Sequence, residues 1–129
     1  MILITGGAGF VGSSLALRLK QAFPEKKIVA FDNLKRRGSE LNLARLREVG
    51  VEFIHGDIRQ PGDLDVGKVE WIIECSAEPS ALAGVDGSTD YLVHTNLFGT
   101  YHCLELARKH HAGMIFLSTS RVYPLRKIQ

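Results

Sequence analysis

The sequence has little cysteine, little net charge and no long hydrophobic run. Its two cysteines, Cys75 and Cys103, stand far apart without a CxxC pair or a nearby set of histidine ligands. We therefore expect no metal site, and two reduced thiols in the core of a cytoplasmic protein. The net charge of +2 predicts neither a nucleic-acid partner nor a membrane partner. No apolar run is long enough to span a bilayer.

What is present is the composition of an ordinary globular protein. Of the 129 residues, 45% are hydrophobic and 23% are charged. A chain of this length is expected to form one domain, which we place at residues 1–129.

Five short apolar runs alternate with amphipathic stretches along the chain. The runs are almost continuously hydrophobic, which is typical of strands in a parallel sheet that is covered on both faces. The predicted strands cover residues 2–5, 27–32, 51–57, 69–75 and 113–120.

The amphipathic stretches predict three helices. Ser39 is expected to cap the second helix and Gly50 to follow its last residue. The third helix should begin near Ser88 and end near His110, with Asn96 on its sheet-facing side beside Leu92, Gly99, Cys103 and Leu106. The first is expected to bury one face, which carries Val11, Leu15, Leu19 and Ala22.

The order of these elements predicts the fold class. Strands that alternate with helices form right-handed crossovers and a doubly wound α/β sheet of the Rossmann type. We expect the strand order 3-2-1-4-5, truncated before the later strands and any substrate domain. Ligands would then bind where the carboxyl ends of strands 1 and 4 meet.

A glycine-rich segment, TGGAGFVGSS, follows the first predicted strand and opens the first helix. Gly7, Gly9 and Gly12 have the GxGxxG spacing of dinucleotide-binding proteins, and Gly6 gives a second reading at a spacing of three. Such glycines allow a tight turn, close approach of the backbone to a pyrophosphate, and close packing of the helix. The helix N-terminus would bind the pyrophosphate. An acidic residue at the end of strand 2, Asp32, completes the pattern.

Asp32 also predicts which dinucleotide binds. Its carboxylate can accept hydrogen bonds from ribose hydroxyls and would repel a 2′-phosphate. Lys35, Arg36 and Arg37 could instead pair with that phosphate, although such a run is more often a solvated loop. Because Asp32 ends the strand and should lie closer to the ribose than the three basic residues, we favour NAD over NADP.

The chain resembles the N-terminal half of the extended short-chain dehydrogenase/reductase family, in its NAD-dependent nucleotide-sugar epimerases and dehydratases. The resemblance lies in the stretches TGGAGFVGSSLALRL, FDNLKRRG, HGDIR, NLFGT and LSTSRVY. The stretch DNLKRRGSELNLARL is most similar to the branch of CDP-paratose and CDP-tyvelose 2-epimerases. The resemblance implies tightly bound NAD, a nucleotide-diphosphate sugar as substrate, and transient oxidation of a sugar hydroxyl.

The resemblance also implies the residues of the cofactor site. Asp57 and Ile58 match a pair beside the adenine, and Ser76 and Ala77 match small residues that line the cofactor. Asn96 matches the asparagine of an NxxGT motif, with a purely structural hydrogen bond as the alternative. The full implied set is Gly6, Gly7, Gly9, Phe10, Val11, Gly12, Asp32, Asn33, Arg36, Asp57, Ile58, Ser76, Ala77, Asn96 and Ser118.

The catalytic residues implied by the resemblance are only partly present. Thr119 falls where the family keeps a Ser or Thr that hydrogen-bonds the sugar hydroxyl. Tyr123 and Lys127 have the spacing of the family's catalytic pair, but Pro124 disfavours a helical conformation for the residue before it. In the family the pair lies farther downstream. We therefore expect the chain to end before its own catalytic pair and to be inactive alone.

Two further expectations remain open. A 4-epimerase, a 4,6-dehydratase, or a naturally short, non-catalytic dinucleotide-binding module are alternatives to a 2-epimerase. The fifth predicted strand has no charge or proline to protect its edge, so we also expect self-association through that strand.

Overall fold

The computed structural model describes residues 1–80, 82–85 and 87–118 and has one parallel sheet. Its strands lie in the order β3-β2-β1-β4-β5, and every pairing is parallel. On the central strand, Ile4 lies opposite Ala30 on one side and Ile73 on the other. The strand order and fold class are as predicted. The strands are β1 (Ile2–Thr5), β2 (Ile28–Asp32), β3 (Glu52–His55), β4 (Trp71–Glu74) and β5 (Gly113–Phe116).

The helices occupy the predicted stretches, with different internal geometry. Short 3₁₀ turns at Ser39–Leu41 and Pro61–Leu64 accompany them. In the described part of the chain, no helix is both long and apolar enough to cross a lipid bilayer. The helices are α1 (Phe10–Ala22), α2 (Asn42–Glu48), α3 (Asp90–Val93) and α4 (Thr100–His110), with a π-helical segment, His94–Gly99, between the last two.

The sheet is covered on both faces, as its continuous hydrophobicity predicts. Alternate residues of each strand point to opposite faces, so the sheet divides the core into two clusters. One cluster lies beneath α4 and includes Leu3, Val29, Phe31, Ile72, Cys103 and Leu106. The other lies beneath α1 and α2 and includes Ile4, Ala16, Ile28, Ala30, Leu46 and Ile73.

The buried face of α1 differs from the prediction. Val11 is 46% exposed and Ala22 is exposed, whereas Gly12, Ser13 and Ala16 are buried. Small residues let the helix approach the sheet more closely than large apolar ones would. Leu15 and Leu19 do pack against the core, so the prediction is right for them and wrong for Val11 and Ala22. Apolar spacing misses the centre of this face because its most buried residues are small.

The start of α2 also differs from the prediction. Ser39 is buried in the 3₁₀ turn before the helix, and its side chain makes no capping hydrogen bond. The expected serine cap is therefore wrong. Gly50 follows the helix end with a φ of +75°, as expected for a glycine in that position.

The π-helical segment changes which residues of the third predicted helix are buried. Its hydrogen bonds span five residues instead of four, so the side chains before it are rotated relative to those after it. As a result, Thr95 is buried and Asn96 is exposed, although an uninterrupted helix would place Asn96 on the buried face with Gly99 and Cys103. The prediction that Asn96 lies on this face is wrong for that reason.

Gly7 tests how tightly the loop after β1 packs on the sheet. A Cβ atom at this position would lie 2.6 Å from the Ala30 Cα, and the Gly7 N–H donates to the Phe31 carbonyl oxygen at 3.0 Å. We expect Gly7→Ala to lower the free energy of unfolding by roughly 1–3 kcal/mol, because neither backbone can move aside. Urea denaturation measures the change. Gly62→Ala is the control, since no atom lies within 4 Å of its Cβ position. An unchanged midpoint for Gly7→Ala would contradict the tight packing.

Candidate functional site

A cleft of about 940 Å³ opens at the carboxyl ends of the strands. Its walls come from the loops after β1, β2, β3 and β4, and from α3 and the π-helical segment. This is the position where a doubly wound sheet binds ligands. The predicted site residues that line it are Gly6, Gly9, Phe10, Val11, Gly12, Asp32, Asn33, Arg36, Ile58, Ser76 and Ala77.

The glycine loop forms one wall and leads directly into α1. The Gly9 N–H donates to the Gly6 carbonyl oxygen at 3.0 Å, and α1 begins at Phe10. A Cβ atom at Gly12 would lie 2.2 Å from the same Gly6 oxygen, so only glycine allows this approach. The first-turn N–H groups of a helix have no intrahelical acceptor and carry its positive dipole end. This wall can therefore bind an anionic group such as a diphosphate.

Asp32 connects the glycine loop to the loop after β2. Its Oδ2 accepts a hydrogen bond from the Ala8 N–H at 3.0 Å, and its Oδ1 accepts one from the Leu34 N–H at 2.8 Å. Each carboxylate oxygen retains further acceptor capacity. Asp32 also lines the cleft, so it can accept hydrogen bonds from the hydroxyls of a ribose.

Asp57 lies behind the cleft wall and holds it. The Asn33 Nδ2 donates to its carboxylate at 2.9 Å, and the Arg59 Nη2 donates at 2.7 Å. Burial raises the pKa of Asp57, but the hydrogen bonds from Arg59 and Asn33 outweigh this and lower it to about 2. The ionised carboxylate thus joins the loop after β2 to the loop after β3.

Asn96 holds the loop after β4. Its Oδ1 accepts a hydrogen bond from the Glu78 N–H at 2.8 Å, and its Nδ2 donates to the Glu78 carbonyl oxygen at 3.2 Å. The donor and the acceptor of the Asn96 amide therefore both bind the backbone of Glu78. This is the structural hydrogen bond that was the alternative to a cofactor contact. It fixes the loop that carries Ser76 and Ala77 along the cleft.

The remaining predicted residues lie away from the cleft lining. Gly7 is buried against Ala30, and Ser118 is exposed after β5. Thr119, with Tyr123 and Lys127, lies outside the described residues.

Several cleft residues were not in the predicted set. Lys35 and Arg37 carry positive charge beside Arg36, and their basic character was the available signal. No spacing in the sequence indicates that Tyr91 and Thr95 reach the cleft, because the π-helical segment sets their position. The Thr95 hydroxyl is buried and has no hydrogen-bond partner among the described residues. The others are Phe31, Ser39, Gly56, Cys75, Glu78, Pro79 and Ser80.

Comparison with known proteins shows the family. The sequence model of the NAD dependent epimerase/dehydratase family matches residues 2–129. The chain belongs to this family. The predicted resemblance is thereby confirmed.

Relatives in the family cover several sugar substrates. The chain is 34% identical over 129 residues to a CDP-paratose 2-epimerase of Salmonella typhi, covering 95% of this chain and 37% of the relative. It is 34% identical to a dTDP-glucose 4,6-dehydratase of Streptomyces niveus, covering 95% of this chain and 38% of the relative. The chain therefore spans well under half the length of these relatives.

Solved structures in the family share the fold. An ADP-L-glycero-D-manno-heptose-6-epimerase of Helicobacter pylori superposes with a TM-score of 0.80 at 31% identity, covering 95% of this chain and 40% of that one. A dTDP-glucose 4,6-dehydratase of Bacillus anthracis in complex with NAD superposes with a TM-score of 0.75 at 28% identity, covering 92% and 37%.

In this member of the epimerase/dehydratase family, a buried carboxyl group lies beneath the cleft. Glu74 ends β4 and is 1% exposed. Its Oε1 accepts hydrogen bonds from the Ser76 N–H at 2.8 Å and the Thr5 hydroxyl at 3.4 Å. Its Oε2 lies 3.4 Å from the Thr100 Oγ1, which lies 3.1 Å from the Asn96 carbonyl oxygen. The Thr100 hydroxyl has one proton and can donate it to only one of these two oxygens. If it donates to the Asn96 carbonyl oxygen, a hydrogen bond between Thr100 and Oε2 requires that Oε2 carries a proton and donates it to Thr100.

The surroundings favour this neutral form of Glu74. Burial raises the pKa of the carboxyl, and the hydrogen bonds that the ionised carboxylate can accept from Ser76, Thr100 and Thr5 offset only part of the rise. Burial likewise raises the pKa of Cys75 to about 11 and that of Cys103 to about 12. Both thiols are therefore neutral at physiological pH and are poor nucleophiles.

Glu74→Gln tests whether folding raises the pKa of Glu74. A folded-state pKa above the unfolded value means that the folded protein binds the proton more tightly. Glu74 therefore lowers the free energy of unfolding as the pH rises from the unfolded pKa toward the folded one. Glutamine can form the same hydrogen bonds without this loss. We expect the substitution to raise the melting temperature at pH 8 by a few degrees, the shift that roughly 1 kcal/mol produces in a small domain.

The difference between the two proteins should shrink as the pH approaches 4.5, the ordinary value for a glutamate. Thermal melting monitored by circular dichroism at several pH values measures it. Glu48→Gln is the control, because Glu48 is exposed on α2. Parallel pH profiles for Glu74→Gln and the unchanged protein would contradict a raised pKa of Glu74 in the folded protein.

Proposed function

We propose that residues 1–129 form the NAD-binding part of a nucleotide-sugar epimerase or dehydratase. The observation that carries the proposal is the shared cleft, where the first turn of α1 and the Asp32 carboxylate face one space at the switch point of the sheet. Bound NAD would supply a hydride acceptor for transient oxidation of a sugar hydroxyl. The CDP-paratose epimerase and dTDP-glucose dehydratase relatives support a nucleotide-diphosphate sugar as the substrate of the whole protein. None of the relatives described above supports a non-catalytic dinucleotide-binding module.

The residues around the cleft fit a dinucleotide. The N–H groups of the first turn of α1 would bind the diphosphate, and Asp32 would bind the adenosine ribose. A Cβ atom at Gly9 would meet only the Gly6 carbonyl oxygen, at 3.1 Å, so the backbone there is open to a ligand. The Thr95 hydroxyl, buried without a partner among the described residues, adds an unused polar group at the cleft wall.

Other chain residues would orient the two ends of the dinucleotide. Asn33, Arg36 and Ile58 line the wall near Asp32 and would contact the adenosine. Ser76 and Ala77, held by the amide of Asn96, would lie along the rest of the cofactor. We propose Thr119 as the residue that hydrogen-bonds the reacting sugar hydroxyl.

We also propose that the protein acts in the cytoplasm. Cys75 and Cys103 are both free thiols, and Cys103 is fully buried on α4. A reducing compartment keeps such thiols unpaired.

The first test of the function is cofactor preference. Asp32 accepts hydrogen bonds from ribose hydroxyls and repels a 2′-phosphate, so we expect NAD to bind about tenfold or more tightly than NADP, the ratio that about 1.4 kcal/mol produces. Asp32→Asn should narrow the ratio by removing the repulsion. Isothermal titration calorimetry measures both affinities. Asp65→Asn is the control, because that exposed carboxylate lies outside the cleft. Equal or tighter NADP binding would contradict the proposal and would assign Arg36 and Arg37 to the phosphate.

We propose that the chain self-associates through the edge formed by β5. Among the described residues, β5 pairs only with β4, and its side chains Ile115 and Phe116 are 49% and 52% exposed. An apolar strand with unpaired backbone groups on one side favours pairing with a second copy.

Light scattering coupled to size exclusion tests this association. We expect a dimer or larger species at micromolar concentration, and a shift toward monomer for Ile115→Lys, because a buried unpaired charge opposes the contact. Leu41→Lys serves as the control, since Leu41 is 74% exposed in the turn between β2 and β3, the two strands farthest from β5 in the sheet. A monomer of the unchanged chain at these concentrations would refute the association.

A further inference from the structure

Three side chains from three separate segments meet at the end of the cleft marked by Asp32. The Lys35 Nζ lies 3.0 Å from the centroid of the Tyr91 ring. The Arg59 Cζ lies 4.6 Å from the same centroid. Lys35 belongs to the loop after β2, Arg59 to the loop after β3, and Tyr91 to α3. Because Lys35 and Tyr91 both line the cleft, their contact joins two of its walls.

These contacts form a closed circuit. The Arg59 guanidinium is bound to Asp57 by Nε at 3.0 Å and by Nη2 at 2.7 Å. Asp57 also accepts from the Asn33 Nδ2 at 2.9 Å, and the Asn33 Oδ1 accepts from the Lys35 N–H at 3.0 Å. The circuit Asn33–Asp57–Arg59–Tyr91–Lys35 therefore returns to its start, and each member restrains the next.

Of the two cations on the Tyr91 ring, Arg59 has a carboxylate partner and Lys35 does not. Asp57 neutralises Arg59 and fixes it against the ring. Among the described residues, no carboxylate lies within ion-pair distance of Lys35, so the Tyr91 ring is the group that holds its ammonium. Holding Lys35 on α3 also keeps Arg36 and Arg37, the next residues of the same loop, at the edge of the cleft.

We propose that Lys35 and Tyr91 are positioning residues that close the adenosine end of the cleft and slow the release of the dinucleotide. The proposal rests on the proposed function, since it requires a dinucleotide in this cleft. A cation on an aromatic ring is held more strongly when water is excluded from the contact. A bound adenosine would exclude water there, so the contact resists the separation of the two walls that release requires. The Lys35–Tyr91 contact should therefore change the dissociation rate constant of the dinucleotide more than its association rate constant.

Stopped-flow displacement of NADH by excess NAD, followed by NADH fluorescence, tests the proposal. We expect Lys35→Met and Tyr91→Leu each to increase the dissociation rate constant about three- to tenfold, a change between those expected for an exposed and for a fully desolvated cation–π contact. The double variant should dissociate no faster than the faster single variant, because both substitutions remove the same contact. Lys35→Arg and Tyr91→Phe, which keep a cation and a ring, should retain the rate of the unchanged protein.

Tyr101→Leu is the matched control, because Tyr101 is 54% exposed on α4 and does not line the cleft. Thermal melting checks that each variant is folded, and the surface substitution Lys35→Met keeps the test available if Tyr91→Leu is unstable.

Unchanged dissociation in folded Lys35→Met, or fully additive effects in the double variant, would overturn the proposal while NADH binding by the unchanged protein still supports the proposed function. No NADH binding by the unchanged protein would overturn the proposed function itself.

Discussion

The close approach of α1 to the loop that leaves β1 is the constraint on which the site depends. The carbonyl oxygen of Gly6 accepts from the Gly9 N–H and occupies the space where a Cβ of Gly12 would lie. This contact fixes where α1 begins and turns its N-terminal N–H groups toward the carboxyl ends of the strands. Asp32 then binds the same loop through the Ala8 N–H, so the anion-binding wall and the acidic residue keep a fixed separation.

Around this constraint, the walls of the cleft are held by residues that do not line it. Asp57 joins two loops through Asn33 and Arg59, and Asn96 binds both backbone groups of Glu78. Glu74 links the end of β1 to the start of the loop after β4. A cleft assembled from four loops needs such bonds, because a loop without packed side chains is otherwise mobile. The polar residues behind the cleft therefore matter as much for its shape as those that face it.

The sequence predicts the parts of this structure that depend on simple periodicity or spacing. Continuous apolar runs and intervening helices are enough to predict the parallel sheet and its strand order. The glycine spacing and Asp32 are enough to predict where the cleft lies. The buried face of α1 was missed because Gly12, Ser13 and Ala16 pack by being small, which hydrophobic spacing does not detect. The role of Glu74 was missed because a single acidic residue in an apolar run carries no local signal of its partners. Tyr91 and Thr95 were missed because an irregular helix determines where they lie.

The π-helical segment His94–Gly99 has a consequence for how this domain can vary. The part of the helix after it is fixed by Cys103 and Leu106 in the core, whereas the part before it supplies Tyr91 to the cleft wall. The wider turn changes the rotation of the helix, so the half before it can be oriented toward the cleft while the half after it stays packed on the sheet. A substitution or a one-residue length change before the segment can reshape the cleft while the core packing stays intact. Ligand preference and stability are thereby separable along a single helix.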